Sequence, residues 1–351
     1  MSDSEKGLKQ KRCFVGFDAF IDFITRPIIC KENGVPRYFH DLNKYATFLL
    51  DMNDKSFSIE LEIPRIKMGG NNPNMSGILS NCGVDVVSFG AYGKTSLDPV
   101  FLPLAKQCRL VSFANPGKCT AYEFNVNKIM NFYNMDKRDF TWENLLAFIS
   151  ADEIIDLLNP ADIIIFVNLA EQPAVLNIME MFLKIIFPHF TERKHFFMDF
   201  SDCSHMTSVE LKRSFDFIRN LESFGTLTLS VNENEYRQLS GHAGFLSEKN
   251  NSCDEKLASF REAIGASQVI LRTLETFYFS SSSLETQVPN KIVEDPQFLT
   301  GAGDAQNAGF CLGILAGMPI EEMLLTGVYA GNNFINIGEV KPEFISIGGA
   351  K

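Results

Sequence analysis

Six short apolar runs along the chain are typical of β-strands that are buried on both faces. They are Cys13 to Gly16, Val84 to Phe89, Asp162 to Asn168, His195 to Asp199, Thr226 to Val231 and Gln268 to Leu271. Runs of this length and composition indicate strands covered by helices on both sides, as in parallel sheets.

Helix-length segments lie between several of these runs. Three of them, Trp142 to Leu158, Ala174 to Phe187 and Ser208 to Leu221, carry apolar residues at three- and four-residue spacing, which predicts amphipathic helices. Because strands and helices alternate, we predict an α/β fold with a doubly wound, mostly parallel sheet flanked by helices. The sequence shows no internal repeat and no low-complexity linker, so we expect residues 1–351 to form a single domain.

Two stretches, at about residues 35–66 and 109–135, break this alternation. Both are rich in aromatic residues, and Cys119 to Val126 alternates between apolar and polar positions like a half-buried strand. We interpret both stretches as insertions that could pair into a small β lid over a cleft. Ordinary edge strands with one buried face are the alternative.

The overall charge limits the kinds of partner that the chain can bind. It has 32 basic and 43 acidic residues, a net charge of −11, which gives no electrostatic support for nucleic-acid binding or for an anionic membrane surface. The apolar stretches are far shorter than the roughly 20 residues of a membrane-spanning helix. The start of the chain, Met1 to Arg12, also lacks the pattern of a secretory signal.

The eight cysteines are scattered without any C-x-x-C spacing. This argues against a zinc ribbon or a disulfide framework and favours buried, reduced thiols. We therefore expect a cytoplasmic protein.

The segment Gly301-Ala302-Gly303-Asp304 carries the clearest chemistry in the sequence, because it precedes a helix-like run of small residues that Gly317 can end. Glycines before a helix allow backbone N–H groups to converge on one point, where the helix dipole adds partial positive charge. Such a point suits a phosphate in transfer, and Asp304 could accept the proton of an attacking hydroxyl. A simple helix-capping aspartate is the alternative.

Three further motifs stand in a fixed order along the chain. They are Gly16-Phe17-Asp18-Ala19-Phe20-Ile21-Asp22, Met68-Gly69-Gly70-Asn71-Asn72-Pro73-Asn74-Met75-Ser76 and Ser230-Val231-Asn232-Glu233-Asn234-Glu235. Taken singly, each can be a capping residue, a turn or an acidic helix start. Together with the segment at 301–304, they make the chain from about residue 13 to 340 resemble the ribokinase-like (PfkB) carbohydrate kinases.

The resemblance implies a role for each motif residue. Asp22, with Asp18 as second choice, would hold substrate hydroxyls, as would Asn74, while Gly69 and Gly70 would let the substrate approach the backbone. Nucleotide binding would fall to Asn232, Glu235, Thr273 and Asn332. In the family, the residues matching Asn232 and Glu235 organise Mg²⁺ largely through water, which suits an ion that prefers oxygen ligands and keeps its hydration.

Two departures from the family pattern concern the nucleotide side. Phe298-Leu299-Thr300 replaces the start of the usual D-T-T-G-A-G-D, so a monovalent-cation site is uncertain. The T-L-G-x-x-G loop appears only as Thr273-Leu274-Glu275-Thr276-Phe277-Tyr278, without either glycine. Arg272 could replace lost positive charge, but we interpret it as a surface or helix-pairing arginine.

We therefore predict a kinase that transfers the γ-phosphoryl group of a nucleotide, ATP with Mg²⁺, to a hydroxyl of a sugar-like molecule. Asp304 would be the general base, and the backbone of Gly301, Ala302 and Gly303 would stabilise the phosphoryl group. A nucleoside kinase of the same fold and a catalytically idle sugar-binding or regulatory protein are the alternatives. A dehydrogenase is disfavoured because no G-x-G-x-x-G follows the first strand. Pairing of lids could also produce a homodimer.

Overall fold

The structure is a computed structural model that describes residues 7–125, 127–133, 137–242, 253–294, 296–298 and 300–341. Its main feature is a nine-stranded sheet, called here the large sheet. In spatial order its strands are Glu285–Pro289, Thr276–Ser281, Gln268–Arg272, Gly225–Asn232, Lys194–Asp199, Ile163–Phe166, Arg12–Phe17, Asp85–Gly90 and Arg109–Ser112. The last seven are parallel, and the first two form an antiparallel hairpin at one edge. The predicted doubly wound, mostly parallel sheet is confirmed.

Helices flank the large sheet or connect its strands. The α-helices are Leu42–Asp51, Asn71–Asn81, Leu102–Ala105, Trp142–Leu146, Ala151–Leu158, Leu176–Met181, Ser208–Leu221, Glu233–His242, Cys253–Ile264, Ala302–Leu315 and Ile320–Ile337. One apolar core extends along the sheet, and at its centre Phe14 packs edge-on against Phe89 and Phe166 of the two neighbouring strands. Among the described residues, no helix combines the length and the hydrophobicity needed to cross a membrane.

The segment 142–158 forms two helices where the sequence predicts one. The second helix begins at Ser150, whose hydroxyl accepts a hydrogen bond from the N–H of Glu153 while the Glu153 carboxylate accepts one from the N–H of Ser150. This reciprocal capping box satisfies the backbone donors of a new helix start. The predicted single helix is therefore wrong at this point.

A second sheet, called here the small sheet, has four strands. Their spatial order is Arg65–Gly69, Phe20–Thr25, Gly117–Glu123 and Lys128–Phe132. A separate hairpin, Ile28–Glu32 with Val35–Tyr38, follows the second of these strands in the sequence. The two stretches expected to be insertions both contribute, but Phe20–Thr25 lies between their strands and pairs with each of them.

The bounds of the small sheet differ from those expected at both stretches. Residues 109–112 belong to the large sheet, because they pair in parallel with Asp85–Gly90. The first stretch also contains the helix Leu42–Asp51. Residues 126, 134 and 135, which the second stretch includes, lie outside the described residues.

Most aromatic residues of these stretches pack against one another. Phe39, Tyr45 and Phe124 form a separate buried cluster, and Phe48 and Tyr122 pack against it. This cluster is the apolar core that joins the helix Leu42–Asp51 to the small sheet. These rings therefore stabilise the small sheet itself.

The chain order places a switch point between the central strands Arg12–Phe17 and Ile163–Phe166. From the first of these, successive crossovers lead to Asp85–Gly90 on one side and later to Ile163–Phe166 on the other. In open α/β sheets, ligands bind beside the carboxyl ends of the strands at such a point. The candidate site residues lie at this edge.

Candidate active site

The helix Ala302–Leu315 begins at a tight glycine turn. Gly301 has φ +98°, a left-handed conformation, and a Cβ atom there would lie 2.9 Å from Cζ of Phe334. Only glycine fits this position without strain, since side chains disfavour positive φ and the space is occupied. The predicted segment 301–303, called here the glycine turn, therefore directs the first N–H groups of a fourteen-residue helix towards one point.

Asp304 lies in the first turn of that helix and is 8% exposed. Asn74 Nδ2 donates a hydrogen bond of 2.7 Å to Asp304 Oδ2. Burial raises the pKa of Asp304 to about 7, against the opposing effect of the Asn74 hydrogen bond. A carboxylate with a pKa near neutrality can accept a proton in the transition state and release it afterwards.

Asp18 directly follows the central strand and caps the helix Asn71–Asn81. Its carboxylate accepts hydrogen bonds of 2.9 Å from the N–H groups of Asn71 and Asn72, and another of 2.9 Å from Asn168 Nδ2. At Gly70, where φ is +97°, a Cβ atom would lie 2.6 Å from Asp18 Oδ2. Burial raises the pKa of Asp18 to about 6. The geometry therefore gives Asp18 a structural function at the helix N-terminus, with both oxygens already engaged.

Asp22, the first choice for binding substrate hydroxyls, lies on the small sheet. A Cβ atom at Gly69 would lie 2.3 Å from its carboxyl carbon, so the first glycine of the pair makes room for this side chain. Burial raises the pKa of Asp22 to about 6, while the charges of Lys128 and Lys67 act in the opposite direction. Asp22 lines an open space, and Asp18 is not among the residues that line it.

That open space, called here the small-sheet cavity, has a volume of about 240 Å³. Asp22, Asn74 and Thr300 all line it, and the rings of Phe298 and Phe334 form part of its wall. Asn74 connects this cavity to the candidate base, because it lines the cavity and donates a hydrogen bond to Asp304. The structure thus brings Asp22, Gly69, Asn74 and Asp304 together, although their roles stay predictions.

A second space of about 470 Å³, called here the hairpin cavity, lies beside the edge hairpin, and Gln306 lines it. Three of the predicted nucleotide-binding residues, Asn232, Thr273 and Asn332, line it. Thr273 closes the tight turn that replaces the glycine loop, because its N–H and its hydroxyl both donate to the carbonyl of Thr276. The apolar part of the wall includes Leu274, Ile292, Val293, Pro296 and Ile335.

Asn232 and Glu235 form a closed pair at the start of the helix Glu233–His242. Asn232 donates to Glu235 from its N–H at 2.8 Å and from Nδ2 at 2.6 Å, and the N–H of Glu235 donates back at 2.9 Å. Burial and the charge of Asp199 raise the pKa of Glu235. Each carboxylate oxygen keeps a second lone pair, so the pair fits an ion that is reached through bound water. Among the described residues, no group of three or more His, Cys, Asp or Glu side chains is placed to hold a metal.

The interpretation of Arg272 as a surface residue is wrong, although it does contact a helix, Ala302–Leu315. Arg272 is 8% exposed, and its guanidinium group lies 3.0 Å from Asp199 and 3.9 Å from Glu235. It also donates hydrogen bonds of 3.3 Å to the carbonyl of Gly303 and to Gln306. Burial of this cation is possible because acidic groups pair with it. A positive charge therefore lies directly behind the glycine turn and on the wall of the hairpin cavity.

Sequence reasoning missed Asp199, Asn168 and Lys128. The first two had a signal, because each lies at the carboxyl end of a predicted strand of a parallel sheet, where ligands bind. Asn168 contacts Asp18, and within the described part of the chain its buried Oδ1 atom has no hydrogen-bond partner. No sequence signal pointed to Lys128, because only the folding of the small sheet brings it to Thr300.

Comparison with known proteins identifies the family. Residues 4–348 match the family described as prokaryotic ketohexokinase. The chain belongs to this ketohexokinase family. The match covers nearly the whole chain, and it confirms the resemblance to ribokinase-like carbohydrate kinases. This ketohexokinase-family protein is therefore a phosphotransferase with an alcohol group of a sugar as acceptor.

Solved structures of sugar and nucleoside kinases share the fold of this ketohexokinase-family chain. Adenosine kinase from Sinorhizobium meliloti has a TM-score of 0.66 at 15% identity, with 96% of this chain and 98% of that chain covered. Ribokinase from Thermotoga maritima has a TM-score of 0.64 at 16% identity, with the same shares covered. Phosphofructokinase-2 from Escherichia coli, in complex with substrates and products, has a TM-score of 0.63 at 15% identity, with 96% and 97% covered. At these identities the likeness establishes the fold alone. A search of curated proteins found no sequence match.

Proposed function

We propose that this enzyme transfers the γ-phosphoryl group of ATP, with Mg²⁺, to a primary hydroxyl of a ketohexose. One observation carries the proposal: Asp304, with a pKa near neutrality, lies at the glycine turn and contacts Asn74, which lines the small-sheet cavity. A base, an anion site and a sugar-sized space therefore meet at one point. The family match supports a ketohexose as the acceptor.

The reaction follows from that arrangement. The sugar hydroxyl loses its proton to Asp304 as its oxygen attacks the γ-phosphorus, and the bond from the γ-phosphorus to the bridging oxygen of ADP breaks. The N–H groups of residues 301–303 stabilise the charge on the phosphoryl oxygens during transfer. A bound Mg²⁺ would supply neutralisation of the donor phosphates, and Asn232 and Glu235 would hold its water ligands.

The lining of the small-sheet cavity favours a neutral sugar as the acceptor. It includes three carboxylates, Asp22, Glu123 and Glu339, and one lysine, Lys67. Glu123 pairs with Arg65 and Glu339 with Lys341, so the described lining offers no surplus of positive charge that would favour a sugar already carrying a phosphate. Carboxylate and amide groups such as Asp22 and Asn74 bind hydroxyls, because together they offer acceptors and donors.

The hairpin cavity suits the nucleotide. Its apolar side chains can cover a base, and its wall also carries amide groups, those of Asn232 and Asn332 among them, that can bind ribose or base edges. Arg272 provides positive charge between this cavity and the glycine turn. This chain lacks the two glycines of the usual nucleotide loop, but it has the buried cation of Arg272 beside the same cavity.

The nucleoside-kinase alternative receives no comparable support. Aromatic side chains of the two inserted stretches would favour this alternative if they could stack on a nucleoside base. Phe39, Tyr45 and Phe124 instead form the core between the small sheet and its helix, where they cannot contact a ligand in the cleft.

Measurement of ADP release from Mg-ATP with a panel of acceptors tests the proposal. The panel contains ketohexoses, aldohexoses, ribose, adenosine and fructose 6-phosphate, and mass spectrometry of the products verifies each transfer. We expect a ketohexose to have the highest kcat/KM, above that of fructose 6-phosphate, because the lining offers no surplus of positive charge to bind the phosphate of the latter. A preference for adenosine would establish the nucleoside kinase, and folded protein without acceptor-dependent ADP release would establish a binding protein.

A further inference from the structure

Lys67 places an ammonium group on the wall of the small-sheet cavity. It lies on the edge strand Arg65–Gly69, directly opposite Asp22 of the neighbouring strand. Directly opposed residues of an antiparallel pair point to the same face of a sheet, and both of these residues line the cavity. A cationic donor and an anionic acceptor therefore lie side by side where the sugar would bind.

The ring of Phe298 supports this ammonium group. The Nζ atom of Lys67 lies over the ring, 5.2 Å from its centroid, which is a cation–π contact. The tip of the ring packs on Gly338 at the end of the helix Ile320–Ile337, since a Cβ atom there would lie 3.0 Å from Cζ of Phe298. The phenylalanine at the start of the altered D-T-T-G-A-G-D segment thus joins the small sheet to the end of this helix.

Most other polar side chains of the lining already have partners within the protein. These pairs are Glu123 with Arg65, Glu339 with Lys341, Asn74 with Asp304, and Thr300 with Lys128. Asp22 and Lys67 differ, because among the described residues neither charged group forms a hydrogen bond or an ion pair. Burial raises the pKa of Asp22 to about 6, and the charges of Lys128 and then Lys67 oppose this effect. Asp22 and Lys67 therefore act on each other through space, and both groups can bind a ligand.

Neighbouring hydroxyls of a sugar match such a pair of charged groups. Each hydroxyl donates one hydrogen bond and accepts two, so one hydroxyl can donate to a carboxylate while the next accepts from an ammonium group. Hydrogen bonds to charged groups are roughly twice as strong as neutral ones. Since the reacting primary hydroxyl would lie at Asp304, the hydroxyls at Asp22 and Lys67 are secondary ones that do not react.

We propose that Lys67 determines acceptor specificity, because its ammonium group, held over Phe298, binds one of two adjacent secondary hydroxyls of the sugar while Asp22 binds the other. This inference rests on the proposed kinase function. Lys67 takes no part in the bonds that form and break. Its contribution is therefore the same before and during transfer, which affects KM and leaves kcat nearly constant.

Substitution of Lys67 tests the contact with the sugar. The side chain is exposed, so the fold should tolerate Lys67→Met. We expect this variant to raise the KM for the ketohexose about 10-fold or more, with kcat within about threefold of wild type. Phe298→Leu, which removes only the ring, should raise the same KM about two- to fivefold. Lys118→Met is the matched control, because Lys118 is an exposed lysine opposite Ile21 and so points to the other face of the small sheet.

A series of monodeoxy ketohexoses, each lacking one secondary hydroxyl, gives a readout that a merely structural role would not change. For the wild type, the loss of either of two adjacent hydroxyls should lower kcat/KM about 10- to 100-fold, the range for a hydrogen bond to a charged group. Lys67→Met should accept one of these two analogues as well as its parent sugar, within about threefold. It should still discriminate against the other, which Asp22 binds.

Three outcomes would overturn the inference. They are an unchanged KM in Lys67→Met, a loss of kcat without a change in KM, and an unaltered pattern of discrimination among the deoxy sugars. Isothermal calorimetry with the ketohexose alone measures the same contact without phosphoryl transfer, and equal affinities of Lys67→Met and wild type would also contradict it. A wild type that releases no ADP with any acceptor of the panel would instead overturn the proposed function.

Discussion

The amide of Asn74 donates a hydrogen bond of 2.7 Å to the carboxylate of Asp304 and so joins the first turns of two helices. Each helix begins at a glycine with positive φ, Gly70 in one and Gly301 in the other. The contact fixes the orientation of the carboxylate and influences its proton affinity. Several measurements follow from it.

The pH dependence of the wild-type reaction should report Asp304. Burial raises its pKa to about 7, and only the deprotonated carboxylate can act as a base. We expect kcat/KM to rise with pH through an apparent pKa near 7 and then to level off. A profile that is flat from pH 5.5 to 8 would contradict the assignment.

Substitution of Asn74 should move that profile in a defined direction. The Asn74 hydrogen bond lowers the pKa of Asp304, so Asn74→Ala should shift the acidic limb to higher pH. The KM for the sugar should also rise, since Asn74 lines the small-sheet cavity. Kinetics over the pH range would detect both effects, and a shift to lower pH would refute the described contact.

Removal of the base should affect turnover far more than binding. We expect Asp304→Asn to lower kcat by about 10²–10⁴-fold, the usual range for general base catalysis. The KM for the sugar should change little, because the amide can keep the contact with Asn74. Asp152→Asn, at an exposed aspartate of the helix Ala151–Leu158, is the control. Wild-type turnover in Asp304→Asn would exclude the proposed mechanism.

The same substitution should stabilise the fold at neutral pH. The pKa of Asp304 is raised from 3.8 to about 7, so the folded state resists its ionisation, and wild-type stability falls as pH rises from about 4 to 7. Asp304→Asn does not titrate. Its stability advantage should therefore be small near pH 4.5 and largest above pH 7, up to roughly 4 kcal/mol for a shift of about three units. Denaturant unfolding at several pH values measures it, and a constant difference would argue against a buried, ionisable Asp304.

Arg272 should be essential to stability as well as to nucleotide binding. Arg272→Met leaves Asp199 and Glu235 buried without their cation, which typically costs about 3–5 kcal/mol. Arg237→Met removes an exposed ion pair with Glu233 and should cost less than about 1 kcal/mol. Chemical unfolding gives both values, and thermal shifts with ADP test the cavity contact. Equal small losses would show that the buried network contributes little.

The sequence carried the local features of the site but not its long-range contacts. Apolar runs predicted the central strands, and the two glycines before Asp304 predicted the helix start, because period and turn chemistry act over a few residues. The burial of Arg272 depends on Asp199, 73 residues away, and no local pattern reveals that pairing. Likewise, no local pattern in the apolar segment Phe20–Thr25 indicates that it forms part of the small sheet and not of the large one.

The connection between the two sheets has a consequence for substrate capture. Only Asp18 and Ala19 separate the strand Arg12–Phe17 of the large sheet from the strand Phe20–Thr25 of the small one. Asp22 therefore lies on the small sheet, whereas Asp304 lies on a helix that packs on the large sheet. A sugar that binds both carboxylates would link the small sheet to the large one. Substrate binding itself would therefore stabilise the closed arrangement of the site in which the sugar reacts.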